Sequence, residues 1–107
     1  MNELGKKSRD KGNRVERLLV NKLKEAGLDA QRVPLSGACQ GDFAGDIQIK
    51  LENQTLLVEV KARKNGQGFK VLEGWLGDND MLFLKRDNQE PLVTLKWETL
   101  IELLLPE

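Results

Sequence analysis

Residues 46–61 read DIQIKLENQTLLVEVK. Two runs of strict alternation flank a polar stretch. In the first, Ile47, Ile49 and Leu51 fall on one side and Asp46, Gln48 and Lys50 on the other. In the second, Leu56, Val58 and Val60 alternate with Leu57, Glu59 and Lys61. Successive side chains of a strand point to opposite faces, so each run predicts a strand with one apolar face. Glu52–Thr55 is polar and turn-like, and so short a connection predicts an antiparallel hairpin. The simplest register pairs Leu51 with Leu56, which places Asp46 opposite Lys61 and Gln48 opposite Glu59, all on one face. Asp46 and Glu59 are then diagonal neighbours with Cβ atoms roughly 7–8 Å apart.

Two carboxylates across such a gap can converge on a hard cation. Mg²⁺ takes oxygen ligands, needs few carboxylates, and keeps waters and substrate phosphate oxygens around it. The ammonium of Lys61 is placed to orient an attacking water or to stabilise charge developing on phosphorus. The hairpin thus carries the parts of a phosphodiester hydrolysis site. Glu59-Val60-Lys61 alone also describes an ordinary salt-bridged strand face. Asp46 on the same face, the strongly apolar opposite face, and Leu57 among the polar residues favour a central strand pair that carries chemistry.

Working outward, Val15, Leu18, Leu19, Leu23 and Ala26 recur at helical spacing from about Asn13, with Gly27 as the C-terminal stop. The first 12 residues are rich in Lys, Arg and Gly and read as a mobile basic arm. Leu28–Pro34 predicts a short strand, followed by a loop over 35–45 with Gly37, Gly41 and Gly45. Beyond the hairpin, Lys64–Gly68 is a loop, and Phe69, Leu72, Trp75 and Leu76 have helical spacing interrupted by Gly74. Met81–Lys85 and Leu92–Leu95 predict a second strand pair, and Trp97, Leu100, Ile101 and Leu104 a closing helix. The order α-β-β-β-α-β-β-α describes an α/β fold, a mixed β-sheet flanked by helices. At 107 residues the chain is expected to form one domain over 1–107, with 1–12 as the arm.

Composition removes several chemistries. There is no histidine, which excludes Ser–His triads and His–Cys zinc sites, and one cysteine, Cys39, excludes an internal disulfide. The glycine loop lacks the Gly-Lys-Ser/Thr of a nucleotide-binding loop, so no nucleotide cofactor is expected. No apolar run approaches the roughly 18–20 residues of a membrane span, and the charged N-terminus is no secretory signal. The expected location is therefore intracellular, and the small size fits a phage or prophage origin. The net charge is zero, yet residues 1–24 carry eight Lys/Arg against three Asp/Glu and residues 61–72 carry four against none. These two basic blocks describe either a phosphate-binding face that net charge conceals or a set of solvated faces.

Gly45-Asp46 followed by Glu59-Val60-Lys61 resembles the PD-(D/E)XK nuclease signature, with glycine in place of the signature proline. More narrowly, Gly12, Glu16 and Arg17 on the first helix, Arg32 on the first strand, and Ser36-Gly37 before Asp46 resemble the archaeal-type Holliday junction resolvases and their phage relatives. The resemblance covers roughly residues 5–64, and the part after 65 matches loosely. It implies a restriction-endonuclease-like fold and a homodimeric, Mg²⁺-dependent endonuclease, with Mn²⁺ able to substitute, that nicks four-way DNA junctions. It implies that Asp46, Glu59 and the Val60 backbone carbonyl hold the metal, that Lys61 assists catalysis, and that Glu16 completes the acidic cluster. It implies DNA contacts from Arg17, Arg32 and Ser36, to which the basic blocks add Arg9, Lys11, Arg14, Arg63 and Lys64. The alternatives are a nuclease for other DNA, such as a phage nickase or restriction-like enzyme, and a non-catalytic DNA-binding module of the same fold.

Overall fold

The computed structural model describes residues 3–33 and 46–105, with side chains from Asp10 onward. Three helices and five strands follow in the expected order: α1 (Glu3–Ala26), β1 (Asp29–Arg32), β2 (Ile47–Lys50), β3 (Thr55–Val58), α2 (Phe69–Leu76), β4 (Met81–Leu84), β5 (Leu92–Leu95) and α3 (Trp97–Leu104). The predicted loop over 35–45, with Ser36 and Cys39, lies outside the described residues. No helix among the described residues is long and apolar enough to cross a membrane.

The chain divides into two compact units, Met1–Ala62 and Arg63–Glu107. In the first, β1, β2 and β3 form an antiparallel sheet in that order; in the second, β4 and β5 form an antiparallel pair. Among the described residues no parallel pairing occurs, so the mixed sheet read from the sequence is here two antiparallel sheets.

Three boundaries differ from the sequence reading. First, α1 begins at Glu3, so the segment read as an arm is helical from that residue. Glu, Leu, Lys and Arg are good helix formers even without apolar periodicity, and Gly5 and Gly12 each cost the helix only about 1 kcal/mol relative to alanine. The end of α1 is as expected: Gly27 takes φ 108°, its N–H donates to Lys24 O, and Leu28 N–H donates to Leu23 O. This double closure satisfies the last carbonyls of the helix.

Second, the hairpin register is shifted by two residues. Ile47 pairs with Val58 and Lys50 with Thr55, and Leu51 N–H donates to Gln54 O at 2.7 Å, leaving Glu52 and Asn53 at the tip. A two-residue shift leaves every side chain on its own face, so hydrophobic alternation cannot separate the two registers; the tighter turn does. Third, β3 stops at Val58, three residues before the predicted end at Lys61.

The core of the first unit is Val20 and Leu23 from α1, Leu28, Ala30 and Val33 in and around β1, and Ile47 and Ile49 from β2. Ala30 faces Ile49 and Arg32 faces Ile47 across the β1–β2 pair. The apolar side of β2 is thereby buried, and Asp46, Gln48 and Lys50 alternate with it. Because Ile49 is 2% exposed, Ile49→Ala should cost about 2–4 kcal/mol in urea unfolding. Leu18→Ala, on the exposed side of α1, should stay within about 0.5 kcal/mol. Equal losses for the two would contradict this core.

Candidate active site

The candidate site lies where β2 begins and β3 ends. The β2–β3 pairing ends at Ile47 and Val58, and Asp46 departs from its register by also bonding Val58. The Asp46–Lys61 pairing read from the sequence is replaced by contacts of Asp46 with Val58 and Val60. Two hydrogen bonds anchor Asp46 through its backbone: its N–H donates to Val58 O at 2.8 Å, and its carbonyl accepts from Val33 N–H at 3.0 Å. A third reaches its side chain, where Oδ2 accepts the Val60 N–H at 2.7 Å. The carboxylate thus takes the amide that would otherwise continue the ladder, which gives a physical reason for the end of β3 at Val58. It also leaves Oδ1 as the oxygen of Asp46 with no described protein partner.

Glu59 and Lys61 lie just past that strand end. Lys61 Nζ is 3.4 Å from Glu59 Oε2, with the two side chains 61% and 57% exposed. A pair this exposed contributes about 0–1 kcal/mol to stability, so it is a weak structural element whose groups are accessible to a ligand. Asp46, Glu59 and the Val60 carbonyl would offer a cation oxygen donors only, the set that suits Mg²⁺. Among the described residues no three carboxylates gather as a metal-binding group. A two-carboxylate site remains compatible with Mg²⁺, which retains several waters.

Glu16 pairs with a residue of β1. Its Oε1 accepts from Arg32 Nε at 3.2 Å, with side-chain exposures of 15% for Glu16 and 28% for Arg32. Arg32 Nη2 also donates to Asn13 Oδ1 at 2.7 Å. Arg32 shares a strand face with buried Ala30, the side of β1 against which the core packs, so the guanidinium is half-buried beside α1. Sequence reasoning assigned Asn13 no role. Its only signal there is its position three residues before Glu16, on the same side of the helix.

The other candidate DNA contacts are distributed over both units. On α1, Arg14 and Arg17 are exposed and Lys11 is half-buried. Arg17, Lys24 and Arg32 border a groove of about 290 Å³ between α1 and β1. In the second unit, exposed Arg63 and Lys64 line a depression of about 410 Å³ together with Lys70. Ser36 lies outside the described residues, as does the side chain of Arg9.

Comparison with known proteins gives a consistent family. The family model of the archaeal Holliday junction resolvase (Hjc) matches residues 7–106. A crossover junction endodeoxyribonuclease Hjc of Sulfurisphaera tokodaii is 33% identical over 89 residues, covering 83% of this chain and 61% of that protein. One of Sulfolobus acidocaldarius is 36% identical over 59 residues, covering 55% of this chain and 41% of that protein. The chain thus spans about three fifths, or less, of the length of these relatives. No solved structure matches it.

The Val60–Asp46 bond makes the site geometry testable without a substrate. Asp46→Ala should lower stability by about 1 kcal/mol and speed hydrogen exchange at the Val60 amide, whereas Asp46→Asn keeps an acceptor there and should resemble the parent. Unchanged Val60 exchange in Asp46→Ala would contradict the arrangement.

Proposed function

The chain belongs to the archaeal Holliday junction resolvase family, and on that premise we propose that it is a Mg²⁺-dependent endonuclease that nicks four-way DNA junctions. The observation that carries the reading is the Asp46 carboxylate, pinned by the Val60 amide beside Glu59 and Lys61. These are the groups that hydrolysis of a phosphodiester requires, and they stand where β2 begins and just past the end of β3.

In this mechanism Asp46, Glu59 and the Val60 carbonyl would hold a divalent ion, with Mn²⁺ as the expected substitute. When bound, such an ion polarises the scissile phosphate and lowers the cost of forming hydroxide from water. The Val60 N–H holds Asp46 in one rotamer, so the donor needs little reorganisation on binding. The Lys61 ammonium leaves Glu59 to orient the attacking water or to meet the charge developing on the phosphate oxygens. Glu16 is proposed to complete the acidic set; Arg32 and Arg17 bind backbone phosphates, with Lys11 and Arg14 beside them on α1, and Arg63 and Lys64 are the DNA contacts proposed for the second unit. Ser36 and Arg9 complete the proposed DNA-binding set. Phosphate contacts carry no base information, so selection would rest on the shape of the branch.

We also propose that both units serve one nuclease domain, a reading supported by the family match that runs across them. The proposed assembly is a homodimer, whose paired sites would nick two opposed strands of a junction. Support comes from the second unit, where Met81, Phe83 and Val93 are exposed, with Phe83 at 70%. Met81 and Phe83 alternate along β4, and Phe83 pairs with Val93 of β5, so these side chains share one face. An apolar face on a two-stranded sheet suits a second copy. The expected setting is intracellular, in recombination and repair of DNA.

The deciding measurement is cleavage of a labelled four-way junction beside matched linear duplex, with Mg²⁺ and with EDTA. Paired, symmetric, Mg²⁺-dependent nicks confined to the junction are expected. Equal cutting of both DNAs would leave a nuclease of another specificity, and binding without products would leave a non-catalytic module. Asp46→Asn should reduce cleavage by at least about 100-fold while junction binding persists. Undiminished cutting by that variant would overturn the assigned site.

A further inference from the structure

Arg32 has five N–H groups, and two of them are engaged: Nε with Glu16 at 3.2 Å and one on Nη2 with Asn13 at 2.7 Å. The remaining three, both on Nη1 and one on Nη2, have no described protein partner. Arg32 nevertheless keeps 28% side-chain exposure and borders the groove shared with Arg17 and Lys24. An ion pair through Nε alone leaves the guanidinium able to pivot about that contact. A second acceptor on Nη2, three residues earlier on the same side of α1, fixes the plane.

We propose that Asn13 is a positioning residue that sets the Arg32 guanidinium so its unengaged N–H fork faces a backbone phosphate of DNA. This rests on the nuclease reading above and deepens it. The chemistry of residue 13 matters as well as its reach. Glu16 already offsets the charge of Arg32, so a carboxylate at 13 would make the cluster net negative and repel a phosphate. The neutral amide of asparagine holds the guanidinium without adding that charge. Pre-orientation of this kind lowers the ordering cost of a charged side chain on binding.

The test has two arms, both on the full chain. In the free protein, ¹⁵N relaxation at the Arg32 Nε–Hε group should show lower order in Asn13→Ala and parent-like order in Asn13→Asp. For binding, a four-way junction is titrated in Ca²⁺, so that cleavage does not intervene. Asn13→Ala should weaken affinity by about three- to ten-fold when Arg32 is present, and not at all in an Arg32→Ala background. Asn13→Asp should also bind more weakly despite its ordered arginine. Unchanged Arg32 order in Asn13→Ala, or equal weakening in both backgrounds, would overturn the positioning role while leaving the nuclease reading intact. A parent chain that binds no DNA would overturn that reading and the proposed phosphate ligand together.

Discussion

The apolar side of β2 constrains everything else in the first unit. Ile47 and Ile49 are nearly inaccessible, and burying them on one face directs the intervening polar residues away from that core. Asp46 sits immediately before this anchored pair. Its backbone is tied on one side to Val33 and on the other to Val58, so its position is set by two neighbouring strands. A carboxylate held this way can then stop the β2–β3 ladder by accepting the Val60 amide. The same bond that ends the strand orients the candidate metal donor. Fold and site meet in one hydrogen bond.

The two ion pairs of this unit do different work, and burial decides which does what. Glu59 and Lys61 are both more than half exposed, so water and salt screen their attraction and little stability depends on it. Either group can exchange its partner for a ligand at small cost. Glu16 and Arg32 are largely covered, and removing one would leave the other poorly compensated. That pair, braced by Asn13, suits holding a side chain still. A hydrolytic site needs both behaviours: groups that yield to the substrate and groups that keep it in register.

The order of elements and the faces of the hairpin were readable because a strand's period of two and a helix's of 3.6 leave direct marks on the sequence. Gly27 likewise announced the end of α1. The start of α1 was not readable, since residues 3–12 mix good helix formers with Gly5 and Gly12 and carry no apolar stripe. The hairpin register was hidden for a related reason: a two-residue shift changes no side chain's face, and the difference lies in the turn. For the site, the approach of Asp46 to the end of the second strand, at Val60, followed from the hairpin alone. The partnership of Glu16 with Arg32 did not. It joins residues 16 apart in sequence through the packing of α1 on β1, and two opposite charges at such a separation carry no mark that they will meet.

Zero net charge, finally, is no obstacle to a phosphate-binding surface. At physiological ionic strength the screening length is about 8 Å, so a bound phosphate responds to the few charges nearest it rather than to the chain's total. The arrangement of α1 matters more: Arg14 and Arg17 are exposed on it, and Arg17 and Lys24 border the same groove as Arg32. Residues 73–107 supply eight of the chain's acidic groups, all within the second unit. They cancel the basic block of α1 in the total, but that cancellation is a property of the sum. The charge that the α1–β1 groove presents to an anion is set by Arg17, Lys24 and Arg32, and by whatever holds each of them in place.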